Sequence, residues 1–138
     1  MIVTKTIKLK SRGETDIIDI TDKLNNCIAD SKVKDGIATV FVSGSTGGLT
    51  TIEYEPGLIK DLERGFEIIA PREGEYQHNL RWHDGNGFSH VRAAMLGPSL
   101  TVPFTSKRLT LGTWQQIVFI DFDNRARSRE LVVQIMGE

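Results

Sequence analysis

All three histidines of the chain, His78, His83 and His90, fall within thirteen residues, interleaved with Asn79, Arg81, Trp82, Asp84 and Asn86. Imidazoles titrate near neutral pH and ligate metals through a neutral nitrogen. A stretch of this kind can therefore move protons, hold an anion when charged, or bind a cation. The spacing matches no compact zinc signature such as His-Glu-x-x-His. A divalent cation on His78 and His90, zinc or magnesium, is thus an expectation from residue type and not from spacing. If a helix opens at Asp84, Asn86 and His90 stand at i and i+4 on one face. His78, on an irregular loop, can fold back over that face, and His83 reads as a surface loop residue.

Three other groups can contribute. Ser43-Gly-Ser-Thr-Gly-Gly48 is a glycine-rich turn whose successive amides can form an anion-binding nest, with Ser45 and Thr46 adding hydroxyls. No Gly-Lys-Ser/Thr follows, so it is not a Walker loop; the plainer reading is a tight connection that needs glycine dihedrals. Glu53 and Glu55 share one face of an extended segment, with Asp61 beyond. Paired acids near histidines can bind a cation or shuttle protons, while Glu55, directly before Pro56, suits a helix N-terminus. Arg125, Arg127 and Arg129 alternate, as a solvated turn or as a phosphate clamp using bidentate guanidinium contacts. Trp114 reads as core or subunit interface. Of Gln115 and Gln116, one must share a side with apolar residues and find hydrogen-bond partners.

These groups need elements to position them. Residues 2–10 alternate as a strand, Asp16–Ile20 is extended, and Thr21 can cap a helix to about Ser31 on Leu24, Cys27 and Ile28. Ile37–Ser43 and Thr50–Tyr54 are strands flanking the glycine turn. Pro56 opens a helix to Ile69 with Leu58, Ile59, Leu62, Phe66 and Ile69 on one face, and Pro71 ends it. Asp84 can cap a helix over 85–96 with Phe88, Val91 and Met95 as its stripe, stopped by Gly97-Pro98. Four strands follow, at 100–104, 109–111, 114–122 and 131–136, the last two joined by Asp123–Ser128 as a polar hairpin loop. Strand-rich blocks separated by two to three helices make an α+β pattern, in one domain over 1–138.

Composition sets limits. With 138 residues, 39% hydrophobic and net charge −1, the chain suits one core and gives no electrostatic case for nucleic acid or an anionic membrane. No apolar run approaches a membrane span. One cysteine, Cys27, excludes an internal disulfide framework and suits the cytoplasm, and its apolar neighbours favour a packed thiol.

Taken together, Gly44-Ser-Thr-Gly-Gly-Leu-Thr-Thr-Ile-Glu53, His78-Asn79, Asp84-Gly-Asn-Gly-Phe-Ser-His90, Gly112-Thr-Trp-Gln115 and Asp121-Phe-Asp-Asn-Arg-Ala-Arg127 resemble the YjbQ-like family. Its members are described as secondary thiamine-phosphate synthases. Most bacterial members carry His-Thr-Thr-Ala where this chain has Gly44-Ser-Thr-Gly47, so the stretch looks more like the archaeal branch. The resemblance implies an α+β fold with a mixed, curved sheet or half-barrel, assembled as a homotrimer. It implies a polar pocket at Glu53, His78, Asn79, Asn86, His90 and Gln115, between subunits. The expected activity is weak thiamine-phosphate synthase chemistry on a small phosphorylated metabolite. His78, His90 and Glu53 would be catalytic; Ser45, Thr46, Gly47, Asn79, Asn86, Gln115 and Arg127 would bind substrate. The rival expectation is a non-catalytic, metal- or ligand-binding homotrimer.

Overall fold

The computed structural model describes residues 1–138. Strands β1 (Ile2–Ser11), β8 (Arg127–Gly137), β3 (Gly36–Val42), β5 (Ser99–Thr105) and β6 (Arg108–Leu109) form one sheet in that order. A second, three-stranded sheet runs β2 (Asp16–Asp19), β7 (Gln116–Asp121), β4 (Gly47–Ile52). Every pairing is antiparallel, so the curled half-barrel expected from the sequence is built without parallel strands.

Strand β7 explains the layering. Ile117 and Phe119 point into the core between the sheets, with Leu131, Val133 and Ile135 opposite and Leu24 and Ile28 of α1 (Thr21–Asp30) closing the end. Val118, Ile120 and Phe122 belong to a second core, against Ile59, Leu62 and Phe66 of α2 (Pro56–Ile69) and Ala93 and Leu96 of α4 (Gly87–Leu96). A strand covered on both faces reads as a continuous apolar run instead of an alternating one. The Phe66 and Phe122 rings meet edge to face at 4.9 Å.

Several local expectations change. Helix α1 is not capped by Thr21; that hydroxyl accepts the Ile117 amide at 2.9 Å and ties the helix to β7. Segment 123–126 is not a hairpin loop, because β7 and β8 lie in different sheets and the chain crosses between them here. Trp114 is 72% exposed and is no part of the core. Helix α4 turns Phe88, Ser89, Arg92 and Ala93 inward, leaving Val91 and Met95 outside. The inward Arg92 is satisfied on all sides: it donates to the Ala70 carbonyl (2.9 Å), Thr15 Oγ1 (2.8 Å) and Glu67 Oε1 (2.7 Å), over the Phe88 ring. Glu55 caps α2 as expected, its carboxylate accepting the Gly57 and Leu58 amides at 2.8 Å each.

Candidate functional site

The segment around His78 is a short helix, α3 (Gln77–Trp82), and not an irregular loop. It ends at His83 in the left-handed conformation (φ 56°), whose amide donates to the Asn79 carbonyl at 2.9 Å; Gly85 follows at φ 69°. This tight corner reverses the chain into α4, whose N-cap is Asn86 and not Asp84. Asn79 secures the corner, its Oδ1 accepting the Gly87 amide at 2.9 Å. Gly87 must be glycine: a Cβ there would stand 2.6 Å from the Tyr76 Cβ.

The corner lays His78 of α3 against His90 of α4, ring centroids 4.4 Å apart and planes tilted by 36°. His78 Nδ1 lies 3.4 Å from Asp84 Oδ1. Burial lowers the His90 pKa, a charged His78 lowers it further, and Asp84 and Asp123 pull the other way. Two imidazoles this close resist carrying two charges, so the pair is suited to holding and passing a single proton. Turning the Asn86 amide over from its present orientation, in which its nitrogen is 3.4 Å from Asp123 Oδ1, brings it within 3.0 and 3.1 Å of the two Asp84 oxygens. The shorter contacts favour the turned orientation.

Behind the histidines lies a buried charged network; residue spacing singled out its arginines, Arg127 and Arg129, but not the acids that hold them. Asp121 and Asp123 are fully buried. Arg129 grips Asp121 through Nε and Nη2 at 2.8 Å each, and Nη2 also donates to Thr46 Oγ1 at 2.7 Å. Arg127 donates Nε to Asp123 Oδ2 at 2.7 Å, and its Nη2 makes an ion-pair contact with the same oxygen at 2.6 Å. Burial pushes the Asp123 pKa up. Donors from the Asn124 amide, Arg127 and, in one orientation, Asn86 outweigh it and hold the carboxyl below its ordinary value. The signal in the sequence was two acids two residues apart, then two arginines two residues apart. On strands such pairs share a face, and buried acids require cations.

The predicted residues thus divide. His78, Asn79, Asn86 and His90 come together. Ser45, Gly47 and His90 line an open cleft of about 390 Å³ with Gly44, Ala93, Ala94 and Pro98. Thr46 is buried and engaged by Arg129 and Asp123, and Arg127 pairs with Asp123 through Nε and Nη2. Gly47 and Gly48 belong to β4, and neither they nor Gly44 takes a positive φ. Their lack of a side chain serves packing: a Cβ on Gly47 would meet the Phe119 ring at 2.6 Å, and one on Gly48 the Leu96 side chain at 2.7 Å.

Glu53 and Gln115 lie elsewhere. Gly47 pairs with Asp121 at one end of the β4–β7 ladder and Ile52 with Gln116 at the other. At ~3.3 Å per residue, Glu53 stands ~20 Å along the strand from Gly47. Gln115 there donates to Thr51 Oγ1 and accepts the Gly112 amide, both at 3.0 Å. Within one chain no three His, Cys, Asp or Glu side chains converge as a metal-binding group. His78 and His90 alone fall short of the three protein ligands usual for catalytic zinc.

A family profile described as "UPF0047 protein YjbQ-like" matches residues 5–138. A UPF0047 protein of Archaeoglobus fulgidus is 35% identical over 130 residues, covering 94% of this chain and 98% of its own. The YugU protein of Bacillus subtilis is 31% identical over 134 residues, covering 96% and 98%. Among solved structures, a "YbjQ-like protein of unknown function" from Sulfolobus solfataricus superposes with a TM-score of 0.94 at 29% identity, covering 100% of this chain and 99% of that one. An uncharacterized YjbQ/UPF0047 protein from Clostridium acetobutylicum gives 0.87 at 32%, covering 96% and 99%.

Proposed function

The chain belongs to the YjbQ-like UPF0047 family, and on that premise we propose that it is an enzyme whose His78–His90 pair transfers a proton to a small phosphorylated metabolite. The observation that carries this reading is the imidazole contact at 4.4 Å, in which His90 lines the Ser45–Gly47 cleft and His78 stands against it, with Asp84 and Asp123 nearby. Burial disfavours the charged form of His90, so once protonated it is a stronger acid than a free imidazole.

The specific reaction we assign is the weak, secondary thiamine-phosphate synthase activity ascribed to the family. The thiazole ring nitrogen bonds to the pyrimidine methylene carbon, the methylene C–O bond breaks, and pyrophosphate leaves with that electron pair. The histidine pair protonates the departing oxygen, Ser45 and the turn amides hold phosphate oxygens, and Asn79 and Asn86 hold the corner and its acids in place. Thr46 and Arg127 act through Asp123, keeping the loop rigid. Glu53 and Gln115, at the far end of the sheet, would meet this half-site only on a neighbouring subunit. A homotrimer supplies that arrangement. The Gly44-Ser-Thr turn supports an archaeal-type variant, and the lone thiol of Cys27 suits the cytoplasm.

Assays with hydroxymethylpyrimidine diphosphate and thiazole phosphate test this. His78→Ala and His90→Ala should each lower pyrophosphate release by about 10²-fold or more while leaving the assembly intact by light scattering. Full activity in both variants would sink the mechanism. The adjacent imidazoles also favour a second reading, a metal-binding homotrimer without catalysis, its remaining ligands coming from water or a neighbouring subunit. Stoichiometric zinc by mass spectrometry with no turnover would select it.

A further inference from the structure

Arg129 uses its guanidinium unevenly. Nε and Nη2 are committed to Asp121 and Thr46, whereas Nη1 makes no hydrogen bond within the chain. Every fully buried side-chain nitrogen and oxygen in the molecule has a partner, so Nη1 must reach accessible space. That space is the gap over Gly44: Nη1 is 3.1 Å from where a Cβ on Gly44 would stand, and only the Val42 side chain otherwise comes within 4 Å, at 3.9 Å. Gly44 lines the same cleft as Ser45, Gly47 and His90; Arg129 is not on that cleft's wall but borders a second one with Lys8, Lys10 and Lys23, so Nη1 reaches the first only across Gly44.

The guanidinium is otherwise immobile. Its side chain is 11% exposed, against an Asp121 carboxylate with no exposure. An arginine held this way presents its last two N–H groups at little further entropic cost, and N–H donors from a charged group make strong, short bonds to anionic oxygens. Asp121 balances its charge, and the neighbouring acid Asp123, 4.0 Å from Nη2, is balanced by Arg127, so what Nη1 offers an anion is directed N–H donors and not excess charge.

From these contacts we infer that Arg129, through Nη1, anchors a phosphate or diphosphate group of the cleft's ligand, and that Gly44 sets the room available for that group. This rests on the reading of the cleft as a site for phosphorylated metabolites, and it moves the anchoring arginine from Arg127 to Arg129. Gly44 is then the specificity-determining position in this chain: an apolar side chain there would stand beside Nη1 without replacing its N–H donors.

Because removing Arg129 would also leave Asp121 buried without its partner, the test is made at Gly44, which is exposed and has no positive φ. Inorganic pyrophosphate is titrated by calorimetry into wild type, Gly44→Ala and Gly44→Val. Affinity should fall in that order, by about tenfold or more for valine, with little change in melting temperature. Equal affinity in wild type and Gly44→Val, or no pyrophosphate binding by wild type at millimolar concentration, overturns the anchor. The outcome is separable from the fate of the histidine mechanism. If His78→Ala and His90→Ala keep full turnover while Gly44→Val loses pyrophosphate, proton transfer by the pair fails and the anchor stands.

Discussion

The Asp121–Arg129 pair offers the strongest test of how the site is held. Asp121 has no exposure and Arg129 11%, and two bonds of 2.8 Å join them. In Asp121→Leu the guanidinium keeps only Thr46 and a carboxylate 4.0 Å away. In Arg129→Met the carboxylate keeps only the Asp123 amide, at 3.1 Å. Stranding one member of a buried pair costs about 3–5 kcal/mol, whereas replacing both by apolar side chains is often close to neutral. For 138 residues at about 2.1 cal/mol/K each, the unfolding entropy near 60 °C is ~290 cal/mol/K, so each single variant should melt ~10–17 °C lower. Asp121→Leu with Arg129→Met should recover most of that loss. Urea denaturation at fixed chain concentration measures the cycle. Single variants costing under ~1 kcal/mol, or a double variant equal to the sum of the singles, would refute a tightly coupled buried pair.

Other consequences are equally open to measurement. Burial lowers the His90 pKa from its ordinary value of 6.5, so the folded state resists charging it. His90 therefore subtracts nothing above pH ~6.5 and costs stability as pH falls below that value. His90→Asn should flatten the fall in melting temperature between pH 7 and 5; an unchanged profile would rule His90 out as the titrating group. Gly47→Ala drives a Cβ into the buried Phe119 ring and should cost about 1–3 kcal/mol in urea denaturation. Gly48→Ala meets the Leu96 side chain at 2.7 Å, its Cβ at 3.0 Å and the Gly97 carbonyl at 3.1 Å, and should cost a similar amount. A loss under about 0.5 kcal/mol in either variant would contradict the packing explanation for that glycine.

Much of the fold was legible because its signals are local. Alternation marked β1, and a buried apolar run marked β3. Pro56 with its apolar stripe marked α2 to within the observed ends, and Glu55 announced its role as cap by preceding Pro56. Errors came where a neighbour far along the chain decided the outcome. Val91 and Met95 have the right spacing for an inward stripe, yet Arg92 turns inward because Thr15, Ala70 and Glu67 satisfy all of its nitrogens there. The glycines at 47 and 48 suggested dihedral freedom, but what requires them is the approach of Phe119 and Leu96. The loop 123–126 looked like a hairpin because loop chemistry does not say whether its two strands share a sheet.

The candidate site divides along the same line. Clustering of His78, Asn79, Asn86 and His90 within one short stretch was determined by the sequence itself, since a corner of a dozen residues can bring few other groups together. That His78 stacks on His90, that Asp121 and Asp123 underpin them through Arg129 and Arg127, and that Glu53 and Gln115 lie at the other end of the sheet were decided only by tertiary structure. Period and punctuation act over one turn or one pleat, whereas hydrogen bonding in a core joins residues 83 apart, as Arg129 and Thr46 are. Burial is what makes such pairing obligatory, and burial belongs to the assembled layers and not to any segment.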